Sequence, residues 1–321
     1  MTTSRRIFNS AIIALLLTGT TAFAQKDTGK LIVGYPPGQS VDVVARALAE
    51  RLGPMIGRTL IVENMPGLAG SVALAAVSRM PADGSVMTLS ASAAIAGNPS
   101  LYKNVQYDSL KDFEPIGLIY DAPLVLMVNS TLPIQSLKEL VAHAKANPGK
   151  VNYSSPGNGS VSHLAMSELM RRAGIEMTHV PYQGAAKSLT DLASGQVQVS
   201  FDAYGAAQPF LSGGKVRAIA VSSLERISVL PSVPTVAESG LADFDLVPWV
   251  GLLAPAGTPK AVVDKVSEEL ARIVRSPDFS QRIVSLGGRP RPVAAAEFRS
   301  FVRAEVDRWA AIVKGSGARL E

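Results

Sequence analysis

Residues 31–52 read LIVGYPPGQSVDVVARALAERL. Leu31, Ile32 and Val33 form a short apolar run, the pattern of a buried strand. Tyr35-Pro36-Pro37-Gly38-Gln39 ends it, because two prolines and a glycine cannot continue a ladder. Ser40 then stands where a helix N-cap belongs, and Val41, Ala45, Leu48 and Leu52 follow at helical spacing. A strand feeding a helix through a tight turn leaves free backbone N–H groups at the turn. Together with the helix dipole, those groups attract anions, so this stretch predicts a small pocket suited to a carboxylate. Asp42, two residues past the cap, suits the same dipole.

The alternation continues beyond it. Residues 59–62 read as a strand, 70–79 as a helix and 86–89 as a strand, the pattern of a parallel sheet with helices on both faces. The third strand ends in Ser90-Ala91-Ser92-Ala93-Ala94, a polar end that faces the same cleft. Residues 98–102 and 107–113 read as surface turns. An apolar strand at 123–128 follows, and 120–128 is taken as the first crossing into a second lobe.

In that lobe a strand at 151–153 ends in Ser154-Ser155-Pro156-Gly157-Asn158-Gly159-Ser160 and opens a helix carrying Leu164, Leu169 and Met170. This is the counterpart of the first loop. A strand at 197–201 ends at Asp202, and residues 247–254, around Trp249, form the return crossing. Two amphipathic helices close the chain, one buried through Val263, Val266, Leu270 and Ile273, the other through Phe298, Phe301, Trp309 and Ile312. The expected fold is α/β with two lobes, 25–125 with 249–321 and 126–248, each a mainly parallel sheet flanked by helices.

With 321 residues, 47% hydrophobic and 18% charged, the chain can bury a sizeable core. It has no cysteine, which excludes disulfides, a thiolate nucleophile and a thiolate-bound metal. Residues 1–24 have the form of a cleavable export signal: Arg5-Arg6, an apolar run at 11–17, then Ala22-Phe23-Ala24. The mature start is expected at Gln25, and the paired arginines also fit a twin-arginine export route. Without residues 1–24, which hold two arginines and no acid, the formal charge falls from +5 to +3. The remaining basic residues are interleaved with acids, so nucleic acid is not an expected partner.

The first loop also carries a resemblance. Tyr35, Pro36, Pro37, Gly38, Ser40 and Asp42 match the pattern F-P-P-G-G-S-T-D of the extracytoplasmic receptors of tripartite tricarboxylate transporters, the Bug (Bordetella uptake gene) family. Gln39 and Val41 depart from it. Residues 63–70, ENMPGLAG, are similar to that family's E-N-R-P-G-A-G-G, and the run from His179 through Gln183-Gly184 to Gly195-Gln196-Val197 is similar as well. The resemblance covers the chain from Leu31 to about Trp309.

It implies a periplasmic-binding-protein fold (type II) that captures a small carboxylate, or its amide, between the lobes. The ligand would be delivered to membrane subunits of a tripartite tricarboxylate-type transporter. A periplasmic monomer without cofactor, metal or enzymatic activity is expected. Tyr35, Pro36, Gly38, Gln39, Ser40 and Asp42 would form the site of the proximal carboxylate. Ser90, Ala91 and Ser92 would line the floor, and Ser155, Gly157, Gly159, Ser160, His163 and Asp202 would read the distal group.

Other readings stand beside this one. The same closed form could serve a membrane sensor. Ser160 and His163 could form a hydrolase pair; the alternative is that Ser160 caps its helix while His163 orients the loop by hydrogen bonding. Asp202 either receives a ligand hydroxyl, amide or ammonium or simply solvates a strand end. His143 reads as a surface residue and His179 as structural.

Overall fold

The computed structural model describes residues 27–316. The export signal read at residues 1–24 lies outside the described residues.

The chain begins with β1 (Asp27–Val33), α1 (Ser40–Met55) and β2 (Arg58–Asn64). A single 3-10 turn, Leu68–Gly70, leads into α2 (Ser71–Val77) and β3 (Val86–Ala91). After a π turn at Ala93–Gly97 come α3 (Asn98–Leu101), β4 (Phe113–Asp121) and β5 (Leu124–Asn129). Then follow α4 (Leu137–Ala146), β6 (Asn152–Ser155), α5 (Val161–Ala173), β7 (Thr178–Pro181), α6 (Ala185–Ser194) and β8 (Val199–Ala203). The chain ends with α7 (Tyr204–Ser212), β9 (Val216–Val221), β10 (Trp249–Pro255), α8 (Lys260–Arg275), α9 (Pro277–Ser285), β11 (Arg289–Ala294) and α10 (Ala295–Ser316).

Two sheets result, in the orders β11-β4-β10-β3-β1-β2 and β7-β6-β8-β5-β9. Each contains a parallel trio in the order second-first-third: β2-β1-β3 in one sheet and β7-β6-β8 in the other. Both sheets are therefore mixed. Next to the third strand of each trio runs a crossing strand in the opposite sense, β10 beside β3 and β5 beside β8. The register places Val250 opposite Ala91 and Leu124 opposite Ala203. The carboxyl ends of both trios thus lie at the edge where the chain passes between sheets. In open α/β sheets that is where ligands bind.

The crossings are tied to each other. Ala122 N donates to Pro248 O at 2.7 Å, and Leu124 N donates to Ser222 Oγ at 2.9 Å. Asp121, at the end of β4, is clamped by Arg289 at 3.0 Å and Arg291 at 3.3 Å; Arg289 also reaches Glu225 at 3.0 Å. An apolar cluster continues from Ile32, Trp249 and Phe298 to Leu164, Phe201 and Phe244 of the second sheet's layer. Helix α10 packs on both β4 and α5 and so spans the two layers.

Some elements depart from the sequence-based expectation. Residues 98–102 are not a surface turn: α3 begins there, with Asn98 and Leu101 buried. Ser40 is not the N-cap. Gln39 holds that position, with extended backbone, and Ser40 is the first helical residue. Helices α7 and α9 and strand β11 were not foreseen. β11 reads Arg-Pro-Arg-Pro-Val-Ala, and its two prolines are tolerated because it lies at a sheet edge.

A buried carboxylate joins the crossing strand to the last helix. Glu305 Oε2 accepts from the indole N–H of Trp249 at 2.7 Å and of Trp309 at 2.9 Å, while Oε1 takes Arg308 at 2.9 Å. Glu305→Ala would strand two buried indole donors, each costing about 1–3 kcal/mol. Urea unfolding should show a loss of at least that size for Glu305→Ala and a smaller one for Glu305→Gln. An unchanged midpoint for the alanine variant would contradict this role.

Candidate ligand-binding cleft

The first loop is built around Asp42, which is 2% exposed. Its Oδ2 accepts from Gly38 N at 2.8 Å and from Arg46 Nε at 3.0 Å; its Oδ1 accepts from Asn64 Nδ2 at 2.8 Å. Asn64 Nδ2 also donates to Tyr35 O at 2.9 Å. Asp42 thus sits in the first helical turn and reaches back to the loop before the N-cap, half of a capping box. Burial pushes its pKa up, but the hydrogen bonds from Arg46, Gly38 and Asn64 outweigh this and hold it below the usual carboxylate value. Both oxygens are engaged, so Asp42 shapes the loop through its own hydrogen bonds.

Gly38 N is held by Asp42 and Gln39 N donates to Pro36 O at 3.4 Å, so the amides left over are those of the first turn of α1. Pro36, Gly38 and Gln39 are exposed, and Ser40 is half-buried. Gly38 has φ +84°, and a Cβ there would meet nothing within 4 Å. The first amides of α1 have no partner within the helix, so its positive end faces outward here. Tyr35 is half-buried, and its hydroxyl donates to Ala69 O at 3.0 Å. Gly34 makes a close approach to the next loop: a Cβ on it would lie 2.6 Å from the Gly70 Cα. Any side chain at Gly34 would push the two loops apart.

The end of β3, expected to line the floor, is largely buried. Ser90 is 2% exposed and its Oγ has no partner. Ser92 is fully buried, and its Oγ accepts from Trp249 N at 3.3 Å, so it serves the crossing strand. Ala91 is half-buried between them.

The second loop has a support of stacked rings. Tyr153 of β6 stacks on His179 of β7 at 4.8 Å, and His179 stacks on His163 of α5 at 4.1 Å. Gly159 N donates to His163 Nδ1 at 3.0 Å, which leaves the His163 proton on Nε2. Ser155 Oγ lies 2.7 Å from His179 Nε2, donates to Gly157 O at 3.0 Å and accepts from Gly157 N at 3.2 Å. Ser155 is therefore spent inside the loop.

Ser160 is the N-cap of α5, and its Oγ accepts from His163 N at 3.3 Å. The Ser160 and His163 side chains are not paired. No base activates this serine, and the hydrolase arrangement is absent from this loop. Burial lowers the pKa of both histidines, His179 to about 4 with His163 adding to the effect. Sequence reasoning missed that His179 braces the loop, since nothing in its local spacing signals the stack. Arg46, four residues after Asp42 on one helix, did carry a readable signal.

Asp202 ends β8 beside α7. It is 4% exposed; Oδ1 accepts from Ala203 N at 2.8 Å, and Oδ2 is buried with no partner. Just beyond it the two sheets' helix starts meet. A Cβ on Gly205, in the first turn of α7, would lie 3.7 Å from Ser40 Oγ and 3.5 Å from Leu286 O. The N-terminal turns of α1 and α7 thus lie close together, with the Ser155–Ser160 loop on the neighbouring strand. A separate groove of about 430 Å³, lined by Leu68, Val72, Tyr102 and Val105, shares none of the expected residues.

The profile of the tripartite tricarboxylate transporter family receptor matches residues 44–318. The chain belongs to this family. It is 33% identical over 293 residues to Protein BugT of Bordetella pertussis, covering 91% of this chain and 90% of that one. It is similar in structure to the R. palustris protein Rpa4515 solved with adipate: TM-score 0.83, 31% identity, 92% of this chain and 99% of that one. MatC of Rhodopseudomonas palustris, solved with malate, gives a TM-score of 0.77 at 31% identity, covering 89% and 99%. The family is one of periplasmic solute receptors, not of enzymes. Among the described residues no helix is long and apolar enough to cross a membrane, and no group of acidic residues and histidines could hold a metal.

The depressed histidines of this receptor make stability pH-dependent. Between pH 6.5 and about 4 the unfolded His179 binds a proton that the folded one refuses. Stability should therefore fall as the pH drops through that window. Urea unfolding at about pH 7 and about pH 4.5 should give a steeper loss for the native chain than for His179→Gln. Equal losses would mean that the stack does not hold His179 neutral.

Proposed function

We propose that this receptor captures a small carboxylate between its two sheets and delivers it to the membrane subunits of a tripartite tricarboxylate-type transporter. The observation that carries this is the close approach of the α1 and α7 N-terminal turns at Ser40 and Gly205, beside the exposed turn Gly38–Ser40. Two positive helix ends with their first-turn amides suit a carboxylate even though the two principal loops contain no Lys or Arg. Backbone groups and ordered water would hold its oxygens. The two relatives solved with adipate and with malate support a dicarboxylate, whose second end Ser160, His163 and Asp202 would meet.

The lobes in this reading are 25–125 with 249–321 and 126–248. They close about the crossings at Asp121–Leu124 and Pro248–Trp249, because ligand touches both sides only when they approach. The Arg289 bridge to Asp121 and Glu225 spans that joint. Export by the signal at residues 1–24 completes the reading.

Thermal-shift measurement with mono-, di- and tricarboxylates tests it. A ligand at about 100 times its dissociation constant adds roughly 2.7 kcal/mol, which at about 2–4 °C per kcal/mol is a shift of several degrees. Dicarboxylates should give that shift, and silence across the panel would sink the reading. Asp42→Ala, which strands Gly38 N and Arg46, should weaken capture about tenfold or more in calorimetry. Undiminished affinity would remove the first loop from the site.

A further inference from the structure

Asp202 is the acid in this cleft that the loop scaffolds do not use. Its carboxyl is buried at the carboxyl end of β8, one strand from the Ser155–Ser160 loop and two residues before the helix start that faces Ser40. It has one hydrogen bond, from the amide of its own neighbour Ala203, and a second oxygen with none. A carboxylate held that way would be a poorly compensated buried charge, which is costly. A carboxylic acid would instead have an O–H free to donate. The remaining question is which groups could set its charge.

The elements packed against β8 are β5, β6, α5, α6 and α7. Strand β5 has no ionisable side chain, and β6 brings only Tyr153, which is stacked on His179. Helix α5 brings His163, kept neutral by Gly159, while Glu168, Arg171 and Arg172 pair with one another farther along it. Helix α6 brings exposed Lys187 and Asp191, the latter engaged by Tyr182, and α7 brings Tyr204. None of these charges acts on Asp202; burial dominates and pushes its pKa up to about 7, against the bond from Ala203. The α7 dipole favours the ionised form, so the acid is poised near neutrality rather than fixed.

Building on the receptor reading above, we propose that Asp202 binds as an uncharged acid, donating its proton to the far oxygen of the ligand, so that capture of a carboxylate is coupled to proton uptake. The partner-free oxygen becomes the donor, and the ligand's second carboxylate is the acceptor. The site then selects a ligand with an acceptor at its distal end. It disfavours one that ends in an ammonium, which has no acceptor and would need Asp202 ionised.

Calorimetry with adipate and with malate tests this, run across pH in two buffers of different ionisation heat. Small dicarboxylates are already ionised above about pH 7, so the ligand does not titrate there. His179 titrates lower, at about 4, outside the same window. Binding should take up a proton, and affinity should fall up to about tenfold per pH unit above about pH 8. Asp202→Asn, whose amide donates at every pH, should bind with a flat pH profile and no proton uptake. Proton release, affinity rising with pH, or an unchanged pH slope in Asp202→Asn would overturn the proposal.

Carboxyl NMR of the ligand-free chain separates this from failure of the receptor reading. If no dicarboxylate binds, the receptor reading falls and the ligand contact falls with it. An Asp202 carboxyl that titrates near 3.8 rather than near neutrality would overturn the proposal even where dicarboxylates bind. The raised folded pKa carries its own sign. Its contribution to stability is full below pH 3.8 and is lost as the pH rises through about 7. Asp202→Asn should therefore be the more stable chain at high pH, which also shows that the variant folds.

Discussion

The arrangement rests on one pairing made twice: a crossing strand laid antiparallel against the third strand of a parallel trio. β10 does this against β3, and β5 against β8. Because each crossing strand enters at the carboxyl end of its trio, all the strand-end loops must gather at the edge where the chain changes sheets. The loops that carry Ser40, Ser90, Ser155 and Asp202 come from different parts of the chain and share no local contact that would assemble them. Strand polarity brings them together, and the bond from Ala122 to Pro248 and the clamp on Asp121 hold the two crossings side by side.

Within that frame polar side chains divide into two kinds. Asp42, Ser92, Ser155 and Ser160 spend their hydrogen bonds within the protein, on the loops and on the strand and helices next to them, and the stack of Tyr153, His179 and His163 stiffens the second loop from behind. Such groups stay satisfied with or without a ligand and keep open amides in place. Ser90 and Asp202 are the other kind, buried with an oxygen that has no partner. An orphaned buried polar atom is expensive in a folded protein, and it persists where an occupant can complete it. In the receptor reading proposed above, capture of an acid without a basic side chain depends on this division, since amides and hydroxyls must already be aimed when the anion arrives.

Much of the fold was readable from local pattern. The first loop, the helix after it, the Gly157–Ser160 turn and the long helix α8 each announce themselves through proline, glycine, a capping residue or apolar spacing. The strand ends at Ser155 and Asp202 were legible for the same reason. What escaped has a physical cause in each case. β11 was hidden by Pro290 and Pro292, which only an edge position tolerates, and α3 by Asn98-Pro99, which reads as a turn until burial of Leu101 is known. The bonds of Asp42 to Gly38, Arg46 and Asn64 were not legible, because a first-turn acid looks the same in sequence whether it meets a ligand or the loop's own groups.

The sequence by itself determined the element pattern, the two glycine-rich strand-to-helix turns and the membership in a receptor family, because these depend on propensities and spacings within short windows. Only the tertiary structure decided that the first turns of α1 and α7 lie side by side, that His179 braces a loop 20 residues before it, and that one oxygen of Asp202 is left without a partner. Those facts depend on strand order and burial, which bring distant segments into contact, and no local window of residues contains them.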